Sequence, residues 1–266
     1  MENNDDLINK ITNEVMLRIK EQMKLQSDNY STNSSSSSNH KIITPAELAS
    51  YIDHTLLKPE ATAPQFDQLC KEAVNYHFKS VCVNSSWVPY VAKKLRGTTV
   101  KICAVVGFPL GEMDIRSKTF EARNAISNGA DEIDMVINIG ALKSGNYKLV
   151  EEDIRSIKRA CRSNTILKVI IETVFLSEKE KIIACQLAKN ADADFVKTCT
   201  GFMGGGATVE DVMLMRKVVG PNMGVKASGG IRTFEQAVAL INAGANRLGC
   251  GSSIAVITGG TTKDPY

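Results

Sequence analysis

Three ionisable residues interrupt runs that otherwise read as apolar strands. They are Asp134 in Glu132-Ile-Asp-Met-Val-Ile-Asn138, Lys197 in Asp194-Phe-Val-Lys-Thr-Cys-Thr200 and Lys226 in Gly224-Val-Lys-Ala-Ser228. Parallel strands covered on both faces are normally unbroken apolar runs, so a lysine inside one needs a reason. Burial disfavours the charged form of its amine, and a second cation nearby does so again. The product is a neutral, nucleophilic amine at neutral pH. An aspartate in the same cavity supplies proton transfer. Each residue alone reads equally well as structure, because strand-end lysines snorkel and buried aspartates pair. Their joint occurrence points to chemistry. Lys168, in Leu167-Lys-Val-Ile-Ile-Glu-Thr173, falls at the start of its run and reads as structural; Glu172, at the other end, has no role assigned by its surroundings.

A second constellation suits an anion. Glycine lets backbone N–H groups approach a phosphate closely, and a following helix start adds donors. Such stretches occur at Gly204-Gly-Gly-Ala-Thr208, Ser228-Gly-Gly-Ile-Arg-Thr233 and Gly249-Cys-Gly-Ser-Ser253, each directly after a strand-like run. One glycine-rich loop alone is as easily a plain turn. Three in succession read as one phosphate site, to which Arg232 could add charge. No Gly-x-x-x-x-Gly-Lys-Ser/Thr is present, so the phosphate belongs to a small substrate and not to a nucleoside triphosphate.

The elements that must carry these groups alternate without a break from about residue 50. Apolar, β-rich runs lie near 50–53, 80–84, 100–107, 132–138, 166–172, 194–198, 224–227 and 246–250, with helical patterns between them. Val150, Ile154, Ile157 and Cys161 form one helical stripe. Ser177 and Thr208 mark helix starts, and Gly129, Gly220 and Gly244 mark helix ends. Eight strand–helix repeats predict an α/β fold, a closed (β/α)8 TIM barrel with its working residues at the carboxyl ends of the strands. An open doubly wound sheet would want Gly-x-Gly-x-x-Gly after its first strand, and residues 51–60 lack it.

Residues 1–40 read as an N-terminal extension ahead of a barrel domain at 41–266. Ile8, Ile11, Val15, Ile19 and Met23 share one helical face, which fits either an amphipathic docking helix or a solvated appendage. Residues 27–40 hold seven serines and three asparagines and read as a disordered linker.

Composition excludes other classes. The 266 residues carry 32 Lys+Arg against 29 Asp+Glu, a net charge of +3 that gives no nucleic-acid surface. No apolar run is long enough to span a bilayer, and the acidic start lacks a signal-peptide core. Seven scattered cysteines with no Cys-x-x-Cys read as reduced thiols of a cytoplasmic protein. Three histidines give a metal site little to build from.

Several segments together resemble the deoxyribose-phosphate aldolase family. These are Asp53-His-Thr-Leu-Leu-Lys-Pro59, Val105-Val-Gly-Phe-Pro-Leu-Gly111, Ala130-Asp-Glu-Ile-Asp-Met-Val136, Leu167 to Thr173, Val196-Lys-Thr-Cys-Thr-Gly-Phe202 and Lys226-Ala-Ser-Gly-Gly-Ile-Arg232. The resemblance runs over about residues 43–260. It implies a class I aldolase, an aldehyde-lyase of deoxyribose phosphate catabolism. Such an enzyme cleaves 2-deoxy-D-ribose 5-phosphate to D-glyceraldehyde 3-phosphate and acetaldehyde with no metal or organic cofactor. By motif, Lys197 is then the Schiff-base lysine, with Lys226 and Asp134 as proton-transfer residues. Asp53, Cys82 and Thr198 match substrate-pocket positions, and Gly205, Gly206, Gly229, Gly230, Gly249, Gly251 and Ser252 are the expected phosphate contacts. The implied partner is a phosphosugar substrate, with self-association into a homo-oligomer left open. A C-terminal tyrosine, here Tyr266, can help shuttle a proton in the family. Two rival readings stand beside this one: another phosphate-binding barrel enzyme such as a transaldolase or isomerase, and a non-catalytic sugar-phosphate sensor acting through residues 1–40.

Overall fold

The computed structural model describes Lys10, Asn13 and Leu17, which are helical, and residues 43–260. The proposed N-terminal helix face, the serine-rich linker and Tyr266 lie outside the described residues.

Eight strands pair in chain order, all parallel, and the eighth returns to the first. They are β1 (Ile52–Leu56), β2 (Ser80–Asn84), β3 (Lys101–Val106), β4 (Glu132–Val136), β5 (Ile166–Ile170), β6 (Phe195–Lys197), β7 (Gly224–Ser228) and β8 (Arg247–Cys250). This is the closed barrel expected from the alternation. Helix α1 (Pro45–Ala49) precedes β1. The outer layer is α2 (Ala63–Asn75), α3 (Val88–Lys94), α4 (Ile115–Ser127), α5 (Ile139–Lys143), α6 (Tyr147–Ala160), α7 (Glu178–Asn190), α8 (Val209–Val219), α9 (Phe234–Asn242) and α10 (Ser253–Thr258).

Local chemistry explains the boundaries. Ser177 caps α7 in a reciprocal box with Glu180, and the Thr208 hydroxyl accepts the Asp211 N–H at 3.1 Å to start α8. Gly129, Gly220 and Gly244 follow α4, α8 and α9 with positive φ, as their positions predicted. The α6 stripe is Val150, Ile154 and Ile157, all fully buried. Cys161 does not extend it. It lies one residue past the helix in extended backbone, where the cap ends the 3.6-residue period.

Period-two alternation sorts the strand residues. Val81 and Val83, Ile133 and Met135, Leu167 and Val169, Val196, Val225 and Leu248 join the apolar cluster shared with the helices. Their neighbours are turned inward, where a small apolar group, Leu57, Cys82, Cys103 and Val105, packs together. Beside them the inward positions carry the charged Asp53, Glu132, Asp134, Lys168, Lys197, Lys226 and Arg247, with uncharged Ser80, Val136, Ile170 and Ser228 among them. In this barrel the larger hydrophobic core lies between sheet and helices, and the interior carries a network of ionic groups.

All seven cysteines are free, and six are buried. Burial pushes the Cys185 and Cys250 thiols up to about 12, against roughly 8.5 in an unfolded chain. Between those values the unfolded state releases protons that the folded state keeps, so stability falls as pH rises. Urea midpoints are expected to drop progressively above about pH 8.5; a flat midpoint to pH 11 would contradict this.

Candidate active site

One carboxylate organises the interior. Lys197 and Lys226 donate to Asp134 Oδ2 at 2.9 and 2.8 Å, and Lys168 donates to Oδ1 at 2.8 Å. The strands dictate the meeting: Lys197 and Lys226 are register partners on β6 and β7, as are Asp134 and Lys168 on β4 and β5. A second group completes the network. Lys226 also donates to Asp53 Oδ2 at 2.5 Å, and Arg247 donates to Asp53 Oδ1 at 2.7 Å and to Glu132 Oε2 at 2.9 Å. Lys168 reaches Glu132 Oε2 at 2.6 Å, and the Ser80 hydroxyl donates to Asp53 Oδ1 at 2.6 Å. Four cations therefore meet three carboxylates inside the barrel. The carboxylates sit on β1 and β4, whereas the cations sit on β5, β6, β7 and β8.

Burial alone would push the Asp134 carboxyl up, but Lys168, Lys197 and Lys226 outweigh it and hold the group well below the usual range. Asp53 is lowered against its burial by Lys226, Arg247 and Lys168. Burial pushes the Lys226 amine down, and the Asp134 and Asp53 carboxylates more than offset this, holding it well above the ordinary lysine value. Lys226 is accordingly held as a cation between the two carboxylates. Cys82, Cys103 and Asp134 offer ligand atoms within 4.8 Å of one another. A divalent ion there would add charge beside amines already in excess, so the donor set fits the lysines better than a metal.

The predicted trio thus meets at one point, and Asp53 joins it. Lys168 lies deeper than a strand-start residue: it is the third residue of β5, fully buried, and binds Asp134 directly. Glu132 and Arg247 were also missed, although each is a charged residue opening an apolar strand. Cys82 faces its register partner Cys103 inside the barrel. Thr198 uses its hydroxyl between strands, donating to the Ser228 carbonyl at 3.1 Å and accepting the Ser228 N–H at 3.0 Å.

The glycine-rich loops converge. Ala207 N–H donates to the Gly229 carbonyl at 3.0 Å. A Cβ on Gly206 would stand 2.7 Å from that oxygen, so only glycine permits this approach of two backbones. Gly205 and Gly230 lie alongside with positive φ. A Cβ on Gly249 would meet Ser228 Oγ at 2.4 Å, which joins the β8 segment to the same place. The buried Ser228 Oγ there has no hydrogen-bond partner. Gly251 and Ser252 follow, half-buried, at the start of α10. That start is anchored by His54, whose Nδ1 and Nε2 lie 2.8 Å from Ser253 Oγ and Glu72 Oε2. The Arg232 side chain is exposed. A surface cleft of about 780 Å³ lies at the opposite end of the strands, against Asp194, Phe195 and Gly224, and touches none of these groups.

The fold is a closed barrel with a buried network of amines and carboxylates in its interior. Residues 48–256 match the DeoC/LacD family aldolase pattern, and the chain belongs to that family. It is 57% identical over 220 residues to the deoxyribose-phosphate aldolase of Streptococcus gordonii, covering 83% of this chain and 100% of that one. The Brevibacillus brevis deoxyribose-phosphate aldolase is 57% identical over 212 residues, 80% of this chain and 96% of its own. The tetrameric deoxyribose phosphate aldolase structure from Aeropyrum pernix superposes with a TM-score of 0.76 at 34% identity, covering 81% of this chain and 91% of that chain.

Proposed function

We propose that the chain cleaves 2-deoxy-D-ribose 5-phosphate to D-glyceraldehyde 3-phosphate and acetaldehyde as a class I aldolase, with Lys197 forming the Schiff base. The observation that carries this is the unequal holding of the amines. Lys168, Lys226 and Arg247 each bind at least two carboxylates, while Lys197 binds a single oxygen that it shares with Lys226. Lys197, with the fewest carboxylate partners, is the amine least tied down and the one best placed to add to a carbonyl.

The reaction then follows. Lys197 adds to the substrate aldehyde, and loss of water gives an iminium. Asp134 takes the C3 hydroxyl proton through a water, the C2–C3 bond breaks, and its electrons flow to the iminium to give an enamine. Glyceraldehyde 3-phosphate leaves; the enamine is protonated at C2 and hydrolysed from Lys197. Lys226 keeps positive charge beside its neighbour and relays protons. No further electron sink is needed, because the iminium is one. The converging glycine loops hold the phosphate. Borohydride reduction with substrate, followed by peptide mass analysis, tests the whole reading: the adduct belongs on Lys197. An isomerase or a sugar-phosphate sensor would leave no adduct.

The phosphate assignment has its own test. Ser252→Glu places a carboxylate at the loop after β8. It is expected to weaken 2-deoxyribose 5-phosphate about ten- to a hundredfold while leaving unphosphorylated deoxyribose nearly unchanged. Equal losses for both would mean that these loops hold only the fold. The tetrameric relative supports a homo-oligomer for this chain as well, which light scattering of the purified protein reads directly. Free thiols support a cytoplasmic location, and no helix among the described residues is long and apolar enough to cross a membrane.

A further inference from the structure

β5 ends at Ile170, and two residues later stands Glu172, fully buried, in left-handed backbone at φ 57° and ψ 68°. A non-glycine residue held there is strained and persists where its surroundings fix it. The ladder places it beside the lysine. Ile171 N–H donates to the Lys197 carbonyl and Thr173 N–H to the Thr198 carbonyl, both at 3.0 Å. Ile171 belongs to the outer apolar cluster, and the Glu172 carboxyl lies within electrostatic reach of Lys197 and Cys199. Its Oε2 accepts the Thr200 N–H at 3.0 Å, and its buried Oε1 has no hydrogen-bond partner.

The charged and titratable groups acting on this carboxyl are Lys197 on β6 and Cys199 just beyond it. Burial pushes the Glu172 carboxyl up; the Thr200 hydrogen bonds and the Lys197 charge only partly offset it. Asp134, near the same amine, is driven the opposite way. Two carboxyls around one amine with environments that separate them divide into an acid and a base.

We propose that Glu172, abreast of Lys197 with one carboxyl oxygen unpartnered, is the general acid that dehydrates the carbinolamine formed at Lys197. The proposal rests on the Schiff-base reading above. Glu172 gives its proton to the carbinolamine hydroxyl, the C–O bond breaks and water leaves. The nitrogen lone pair closes the C=N bond. Two neutral groups become a carboxylate and an iminium facing each other, an attraction strengthened by low local polarity. During product release the carboxylate takes a proton from the water that adds back to the iminium.

Rapid-quench borohydride trapping with acetaldehyde tests this on wild type, E172Q, E172A and K197A. Glutamine keeps the volume and the Thr200 contact but has no acidic proton. E172Q is expected to form adduct roughly 10²–10⁴-fold more slowly, to the same final extent and with a melting temperature near wild type. Added formate is expected to restore the rate of E172A. Wild-type rates in E172Q would overturn the acid role. So would slow trapping that formate cannot restore and that tracks a lost melting temperature, which marks mere support of the loop. Trapping that survives in K197A, or is absent from wild type, would instead overturn the Schiff-base reading.

Discussion

Lys197→Ala is expected to leave no borohydride-trappable adduct and to lower kcat/KM by about 10⁴-fold or more, the scale on which removal of a covalent nucleophile acts. Lys197→Arg is not expected to rescue it, because a guanidinium stays protonated and cannot add to a carbonyl. The fold is expected to persist in both. Asp134 keeps Lys168 and Lys226 when Lys197 is gone, and the remaining three cations match the three carboxylates. Trapping and circular dichroism on the same preparation separate the outcomes. An adduct on Lys226 would reassign the nucleophile, and a collapsed fold would show that the amine was held for structure.

Lys226→Met reverses that pattern. It removes the shared partner of Asp53 and Asp134 at a fully buried position. Breaking a buried pair from one side costs about 3–5 kcal/mol, or roughly 6–20 °C in melting temperature for a chain of this size. Activity is expected to fall as well, through the lost cation beside Lys197. The pH dependence carries a sign. Asp53 and Asp134 have lowered values in the folded protein, so their contribution is complete above the unfolded value of about 4 and erodes as pH falls towards their folded values. Lys226 is raised, so its contribution is complete below about 10.4 and fades as pH climbs through its higher folded value. Acid unfolding of Lys226→Met should therefore begin at higher pH than in wild type, since its carboxylates have lost the cation that lowered them. Coincident acid limbs would remove Lys226 from the network's energetics.

The barrel and its three central residues were legible because a charge inside an apolar run violates packing and shows in one dimension. Lys168 was placed too near the strand edge for the opposite reason. Its place near the start of a run looked like an edge, and only the pairing of β5 with β4 sets it opposite Asp134. Arg247 and Glu132 open their strands and so resemble solvated ends. The stagger of a closed barrel carries them inward to Asp53 and Lys168, and that stagger is a property of eight strands together. The glycine loops could be located by composition, but not the contact of Gly206 with Gly229, which needs both backbones in place. Glu172 stood in plain view at a strand end. Its strained backbone and empty oxygen have no signature in residue type.

The separation of signs along the chain bears on how the protein is made. A ribosome releases β1 to β4 first, and with them Asp53, Glu132 and Asp134 without one of their cationic partners. Sequestering three carboxylates from water with nothing to neutralise them is prohibitive, so the early half stays open and hydrated. The late half meets the same obstacle with opposite polarity, through Lys168, Lys197, Lys226 and Arg247. Neither half is expected to form a stable intermediate on its own, and each is the other's counterion. Closure is expected to wait for the last strand, so that the separation of charge along the chain delays the barrel until the chain is nearly all present.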